Sequence, residues 1–221
     1  MEALVRPALP SGVSLADTVF SVVDVETSGL SSRRHRVLQV AVVRVRADGR
    51  IVDRWSTLVR PRFARVGRSS RVHGLTRRDL RGAPRFADIA DELTARLHGT
   101  VVTGHNVGFD WAFLRRGLRR MGYDAPDALR LCTLRLSRSL DPAGESSHRL
   151  IELCARYGIP LGRAHDALAD ATATAELLPH LLRAAAVADA DQLSPHLRGA
   201  DTAWPRGPAP VPRAAWWRLR R

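Results

Sequence analysis

With 221 residues, 45% of them hydrophobic, the chain has room for one domain of ordinary size plus an appendage, and too little for two large domains. No apolar run approaches the roughly 20 residues that a bilayer crossing needs, and the opening MEALVRPALPSG lacks a basic region followed by an unbroken apolar stretch, so neither a membrane span nor a secretory signal is expected and the cytoplasm is the expected location. The net charge of +13 favours a polyanionic partner, although all 35 basic residues are Arg and Ala is abundant, as a GC-rich coding sequence also produces.

From the N-terminus, residues 18–26 read as a buried strand and residues 36–46, RVLQVAVVRVR, as a second with apolar residues on both faces. Asp48 and Gly49 form a hairpin-turn signal that returns the chain through a third strand ending at Pro61. An Arg-rich loop follows, with nine Arg between residues 60 and 85 against one Asp. FADIADELTARLHG then keeps helical spacing through Phe86, Ile89, Ala90, Leu93 and Leu97 up to a Gly stop.

TVVTG is a short buried strand, and HNVGFDWAFLRRGLRRMG a helix capped near Asn106 and stopped at Gly122, with Asp110, Phe113, Leu114, Gly117 and Met121 on one stripe. Arg115, Arg116, Arg119 and Arg120 repeat on that helix, as a strand guide or as an ordinary solvated face. Residues 131–139 and 148–157 read as short helices, and the last strong helix begins near Asp166 with Asp170, Thr174, Leu177, Leu178 and Leu181 on its inward face. Past residue 187 the periodicity fades into the Pro-rich WPRGPAPVPR, which predicts a domain over 14–186 and a flexible Pro/Arg-rich tail over 187–221. Strands first and alternating helices and strands after them predict an α/β sheet covered by helices. Cys132 and Cys154 form no metal-ligand pair and no disulfide framework, and read as small core hydrophobes.

The unusual feature is acidic. A strand turns alternate side chains to opposite faces, so Asp24 and Glu26 are neighbours on one face of the first strand while Val23 and Val25 take the other. Asp110 and Asp170 lie near the starts of two helices and on their apolar stripes, which aims both at the sheet. Singly, each has an ordinary role as a helix cap, a dipole partner or a solvated strand end. Together, four converging carboxylates repel and raise one another's pKa unless cations neutralise them. All-oxygen ligation suits Mg²⁺ or Mn²⁺ rather than zinc, and two such ions about 3.5–4 Å apart can promote phosphodiester cleavage.

DVETSGL, HNVGFD and HDALAD, in this order and spacing, resemble the three motifs of the DEDDh family of 3′-to-5′ exonucleases, in particular the proofreading epsilon-subunit type of DNA polymerase III. The similarity spans residues 17–183 and includes RVHGLT and SHRLIELCARYGIP. The resemblance implies a ribonuclease H-like mixed sheet, antiparallel over its first three strands and parallel thereafter. It also implies two Mg²⁺ or Mn²⁺ ions held by Asp24, Glu26, Asp110 and Asp170, with Glu26 and Asp24 nearest the substrate phosphate, and His165 as general base.

His165 stands five residues before Asp170, and an imidazole titrating near neutrality suits proton removal from water. In the subgroup that uses Tyr the base lies four residues before the acid, where this chain has Asp166, so the His subgroup fits. Thr27 and Leu30 resemble residues that meet the terminal nucleotide, and Gly29 allows close backbone approach. Phe109 either stacks on a base or packs in the core; His73 either meets base or sugar or makes a loop hydrogen bond; Asn106 is a helix cap, a substrate contact or both. Relatives that carry an acid near Arg68, or Asp at the place of Cys132, differ here, which bears on substrate preference.

The resulting expectation is an enzyme that removes nucleoside 5′-monophosphates from single-stranded 3′ ends, DNA in a proofreading or repair setting. Its rivals are an RNA-trimming exonuclease of the same family and a non-catalytic polymerase accessory module, the latter expected to lack a ligand that this chain has. Possible protein partners are a DNA polymerase or a sliding clamp, the clamp through QLSPHL at 192–197, where Pro195 replaces an aliphatic residue. The final AAWWRLRR, with Trp216 and Trp217 among Arg218, Arg220 and Arg221, either docks on a partner or folds back.

Overall fold

In the computed structural model, which describes residue 9 and residues 13–62, 66–67, 69–123, 128–162 and 165–199, helices cover both faces of one six-stranded mixed sheet. In chain order the elements are β1 (Val19–Thr27), β2 (Val37–Arg46), β3 (Ile51–Leu58), α1 (Ser70–His73), α2 (Phe86–Leu97), β4 (Val101–Gly104) and α3 (Val107–Arg120). They continue with β5 (Arg130–Cys132), α4 (Thr133–Ser139), α5 (Leu150–Tyr157), α6 (Ala167–Ala184), α7 (Ala190–Leu193), a 3₁₀ turn (Ser194–His196) and β6 (Leu197–Arg198). The sheet order is β3-β2-β1-β4-β5-β6. The first three strands are antiparallel neighbours, and β1, β4 and β5 run parallel, as expected.

The near-continuous apolar run of β2 follows from burial on both sides. Phe20, Val22, Ala41, Val43 and Val45 face α6, through residues such as Ala171, Leu177, Leu178 and Leu181. Val23, Val25, Val40 and Val42 face α2 and α3, through Ile89, Leu93, Trp111, Leu114 and Leu118. The alternation therefore puts Asp24 and Glu26 on the α6 side of β1, two and four positions beyond Val22. The β2–β3 turn uses Gly49 at φ 95°, with the Asp48 carboxylate accepting from Arg50 N at 2.8 Å.

The α3 stripe is rotated from the expected one: Val107, Asp110, Trp111, Phe113, Leu114 and Leu118 are buried, whereas Gly117 and Met121 are at the margin. Gly117 serves the packing of α2 on α3, because a Cβ there would sit 2.4 Å from Phe86 Cζ. Cys154 is buried in the α6-side core and Cys132 packs at the edge of the other, both as free thiols.

Two boundaries differ from the sequence expectation. The segment 131–139 opens not as helix but as β5, which pairs with β4 and buries Leu131 completely. The flexible tail expected from residue 187 is folded at least to Gly199, since β6 pairs antiparallel with β5 and Leu193 and Leu197 are wholly buried. Too short for any periodicity, that segment is fixed by tertiary pairing. The same folding consumes QLSPHL: Gln192 Oε1 accepts from Ala188 N at 2.7 Å and both leucines face the core, so this stretch offers no extended clamp peptide. The Pro-rich and Trp/Arg-rich remainder lies outside the described residues. Among the described residues no helix is long and apolar enough to cross a membrane.

Leu193→Ala in the full chain is expected to cost about 2–5 kcal/mol in urea unfolding, as for other buried leucines. A tail that does not pack would leave the midpoint unmoved.

Candidate active site

At the end of β1 the ladder with β2 slips: Glu26 pairs with Gln39, but Thr27 pairs with Val37, a bulge that re-aims the strand end. Glu26 and Asp110 are buried, and Asp24 and Asp170 partly so. Asp110, in the first turn of α3, reaches across to β1, where its Oδ1 accepts from Val25 N at 3.0 Å. Asp170, in the first turn of α6, accepts from His165 N at 3.1 Å. One ligand atom each from Glu26, His165 and Asp170 lies within 4.8 Å of the other two.

The electrostatics of this cluster are unfavourable for four free anions. Burial pushes the Asp24 carboxyl well above its usual range, with the negative charges of Asp110, Asp170, Glu26 and Asp166 adding to it. Burial, then Asp170, Asp110 and Asp166, pushes Glu26 up to about 8. Asp110 is raised by burial against the pull of Val25 N, and Asp170 by burial against the pull of His165 N. Among the described residues no Arg forms an ion pair with any of the four. Clustered carboxylate oxygens whose charge is disfavoured by burial match the donor set of a hard divalent ion, so the residues fit such a group, with Asp24, Glu26, Asp110 and Asp170 to hold it.

The local backbone is held in sparsely populated conformations here. Of three non-glycine residues with positive φ among those described, two belong to the site: Asn106 at 75° and His165 at 62°. Asn106 takes the N-cap position of α3, yet its side chain makes no capping bond, because the left-handed backbone turns it away from the N2 and N3 amides; it is exposed instead. The His165 side chain is exposed while its amide is anchored on Asp170.

The residues expected to meet substrate divide into two groups. Thr27 is buried, and its hydroxyl donates to Gly29 O at 2.9 Å; Leu30 projects with 87% of its surface exposed. Gly29 is required by contact, since a Cβ would lie 2.5 Å from the His35 ring. His73 is buried with both ring nitrogens used: Nδ1 accepts from Leu75 N at 3.0 Å, and Nε2 lies 3.2 Å from Ser69 Oγ and within hydrogen-bonding reach of the Thr27 backbone. Burial lowers its pKa, so the neutral ring makes the loop hydrogen bonds that were one of its two expected roles. Phe109 is half-buried, packed against the α2/α3 core with its ring 5.0 Å from that of Phe113. Arg68 lies outside the described residues.

Two polar residues escaped the sequence reading of the site. Asp166 caps α6, its Oδ1 accepting from Leu168 N and Ala169 N at 3.1 Å each. Gln39 is buried opposite Glu26, and its amide bonds to Asp166 Oδ2 and Ala167 N. The available signal was a single polar residue inside the seven-residue apolar start of β2.

A family model described as exonuclease (RNase_T) matches residues 21–178. The DNA polymerase III PolC-type protein of Halalkalibacterium halodurans is 33% identical over 188 residues, 84% of this chain. This chain spans only 12–13% of the length of such relatives. The DNA polymerase III subunit epsilon of Aquifex aeolicus is 31% identical over 169 residues, covering 76% of this chain and 83% of that protein. Among solved structures, Exonuclease X in complex with 5′ overhanging duplex DNA is 26% identical with a TM-score of 0.62, covering 80% of this chain and 98% of that one. E. coli Exonuclease I in complex with a dA16 oligonucleotide is 25% identical with a TM-score of 0.67, covering 75% and 41% respectively.

The raised carboxyls give a signed expectation. Glu26 keeps its proton in the folded state up to about 8, whereas the unfolded chain loses it near 4.5, so the metal-free protein loses stability as pH rises through that window. Thermal melts in chelator should show a higher Tm at about pH 5.5 than at about pH 8, Mn²⁺ should raise Tm more at the higher pH, and Glu26→Gln should flatten the difference.

Proposed function

The chain belongs to the exonuclease family whose model it matches over residues 21–178, and from that premise we propose that it is a metal-dependent 3′-to-5′ exonuclease acting on single-stranded DNA ends and releasing nucleoside 5′-monophosphates. The observation that carries this reading is the convergence of Asp24, Glu26, Asp110 and Asp170, from one strand and two helices, on a partly buried cluster whose carboxyls are all driven toward protonation.

In the proposed reaction a water oxygen attacks the terminal phosphorus and the P–O3′ bond breaks. The products are a nucleoside 5′-monophosphate and a strand shorter by one nucleotide with a free 3′-hydroxyl. His165, exposed and fixed through its amide to Asp170, takes the proton from the attacking water. Two Mg²⁺ or Mn²⁺ ions, held by the four carboxylates, would supply charge stabilisation for the phosphoryl and leaving oxygens. Thr27, Gly29 and the projecting Leu30 are assigned to the terminal nucleotide, together with Asn106 and Phe109 at the N-terminal end of α3, and His73 anchors the loop through the Thr27 backbone.

DNA is favoured by the names of the relatives, which are DNA polymerase III proteins, and by neighbours solved on DNA. The same names support work beside a DNA polymerase. A polyanionic substrate also suits the Arg-rich end of α3. Arg120 donates to Arg33 O at 3.4 Å, and its guanidinium is made less basic by burial and by the like charges of Arg36 and Arg116. Phosphates laid along this ridge would relieve that repulsion.

End-labelled DNA incubated with Mg²⁺ should lose mononucleotides from its 3′ end, and chelator or Asp24→Ala should stop the release. His165→Ala should lower kcat by about 10²- to 10⁴-fold with Mn²⁺ affinity retained, as befits a base rather than a ligand. A matched RNA degraded faster than the DNA would transfer the assignment to RNA trimming, and no release from either would end it. Replacing Arg116, Arg119 and Arg120 together with Ala should weaken DNA binding and flatten its log–log salt dependence by about 2, at about 0.7 per lost phosphate contact on a single strand.

A further inference from the structure

Gln39 is a buried amide in a strand otherwise built of Val, Leu and Ala over its first seven residues. The antiparallel register sets it directly opposite Glu26, and its neighbours two and four positions on, Ala41 and Val43, face α6. So Gln39 shares the face that carries Asp24 and Glu26. Its Nε2 donates to Asp166 Oδ2 at 3.3 Å, and its Oε1 accepts from Ala167 N at 3.4 Å. Both partners belong to the start of α6, the helix that presents Asp170 and follows directly on His165.

A helix start leaves four amide N–H groups without intrahelical partners. In α6 the three that belong to helical residues are served by side chains, while Asp170 N makes the first intrahelical bond, to Asp166 O at 3.0 Å. Leu168 N and Ala169 N donate to Asp166 Oδ1. The remaining donor, Ala167 N, goes to Gln39 on the sheet. Asp166 thus spends one carboxylate oxygen inside the helix and turns the other to the same amide. Among the described residues no other side chain ties β2 to the first turn of α6 by two hydrogen bonds, and this tie crosses from the ladder position of Glu26 to the residue next to His165.

We infer that Gln39 is a positioning residue that fixes the start of α6 against β1 and β2, and thereby sets the separation of Asp170 and His165 from Glu26. The inference rests on the metal-dependent reading of the site. Like charges that repel need a mechanical restraint to stay within one ion's reach. A neutral amide meets the requirement because it donates on one side and accepts on the other. Glu in its place would set one new carboxylate both against Asp166 and beside Glu26; Met would keep the volume and lose both bonds.

The test uses the full chain and three variants. Gln39→Met should lower Mn²⁺ affinity, read by electron paramagnetic resonance without nucleic acid, by about 10- to 100-fold, the range typical of lost outer-shell partners. Its kcat on saturating single-stranded DNA should fall in parallel while KM stays within about three-fold, and its metal-free Tm should fall by only a few degrees, the scale of a lost buried hydrogen bond. Gln39→Glu should be worse on both counts. The double variant Gln39→Glu/Asp166→Asn reverses one bond, with the new amide donating to the new carboxylate and Ala167 N still served, and should recover most of the Mn²⁺ affinity. Unchanged Mn²⁺ affinity in Gln39→Met, or a double variant no better than Gln39→Glu, overturns the inference. Because the Mn²⁺ measurement needs no hydrolysis, it decides the role of Gln39 even where the parent protein releases no nucleotide, an outcome that would count against the proposed activity alone.

Discussion

Mutual repulsion among buried carboxylates is the constraint on which the site, and much of the fold around it, depends. Asp24, Glu26, Asp110 and Asp170 are drawn from the central strand and from the first turns of two helices packed on its opposite faces. Removal from water raises the protonated form of each, like charges add to it at Asp24, Glu26 and Asp170, and hydrogen bonds at Asp110, chiefly from Val25 N, and the amide and charge of His165 at Asp170 act against it. A chain seeking stability alone has no use for such a cluster, since apolar residues of similar volume cost less to bury. On the proposed metal-dependent reading, a cationic occupant inverts that cost.

The architecture supplies the rigidity that repulsion demands. β1 is paired along its length by β2 and over Phe20–Val22 by β4, and its apolar residues are buried on both faces, which anchors the strand that carries the acids. The bulge after Glu26 shifts Thr27 to Val37 in the ladder, and the chain beyond it leads to Leu30, which projects toward solvent apart from the acids. Glycines appear where the loop leaves no room: Gly29 against His35, Gly67 against Ser28 O, and Gly104 against Val23 O. Left-handed backbone at Asn106 and His165 opens the two helices in place of ordinary side-chain capping at the first and beside Asp166 at the second. Strain of this kind is kept where surrounding contacts over-determine it.

Much of this was legible in the residues because it rests on local periodicity. Two-residue alternation in VVDVET assigned Asp24 and Glu26 to one face, and 3.6-residue spacing aimed Asp110 and Asp170 inward. The antiparallel opening of the sheet followed from the Asp48–Gly49 turn, and the order of the three acidic motifs carried the family resemblance. The pattern was less informative wherever a residue has two uses. His73 was balanced between substrate and loop, and its two engaged nitrogens favour the loop; Asn106 was balanced between cap and contact, and its backbone conformation rules out side-chain capping.

By itself, then, the sequence determined which residues are acidic, which faces they occupy and that they share an α/β scaffold, because side-chain direction follows from bond geometry repeated every two or 3.6 residues. Only the tertiary structure decided three things: that residues 187–199 close the sheet as β6, that QLSPHL is core rather than ligand peptide, and that Gln39 and Asp166 brace the start of α6. Each depends on contact between segments far apart in the chain, such as Gln39 with Ala167 or Leu131 with Leu197. Such pairings are selected by the collective packing of the sheet and its helices, and a short segment carries no periodic trace of the partner it will meet.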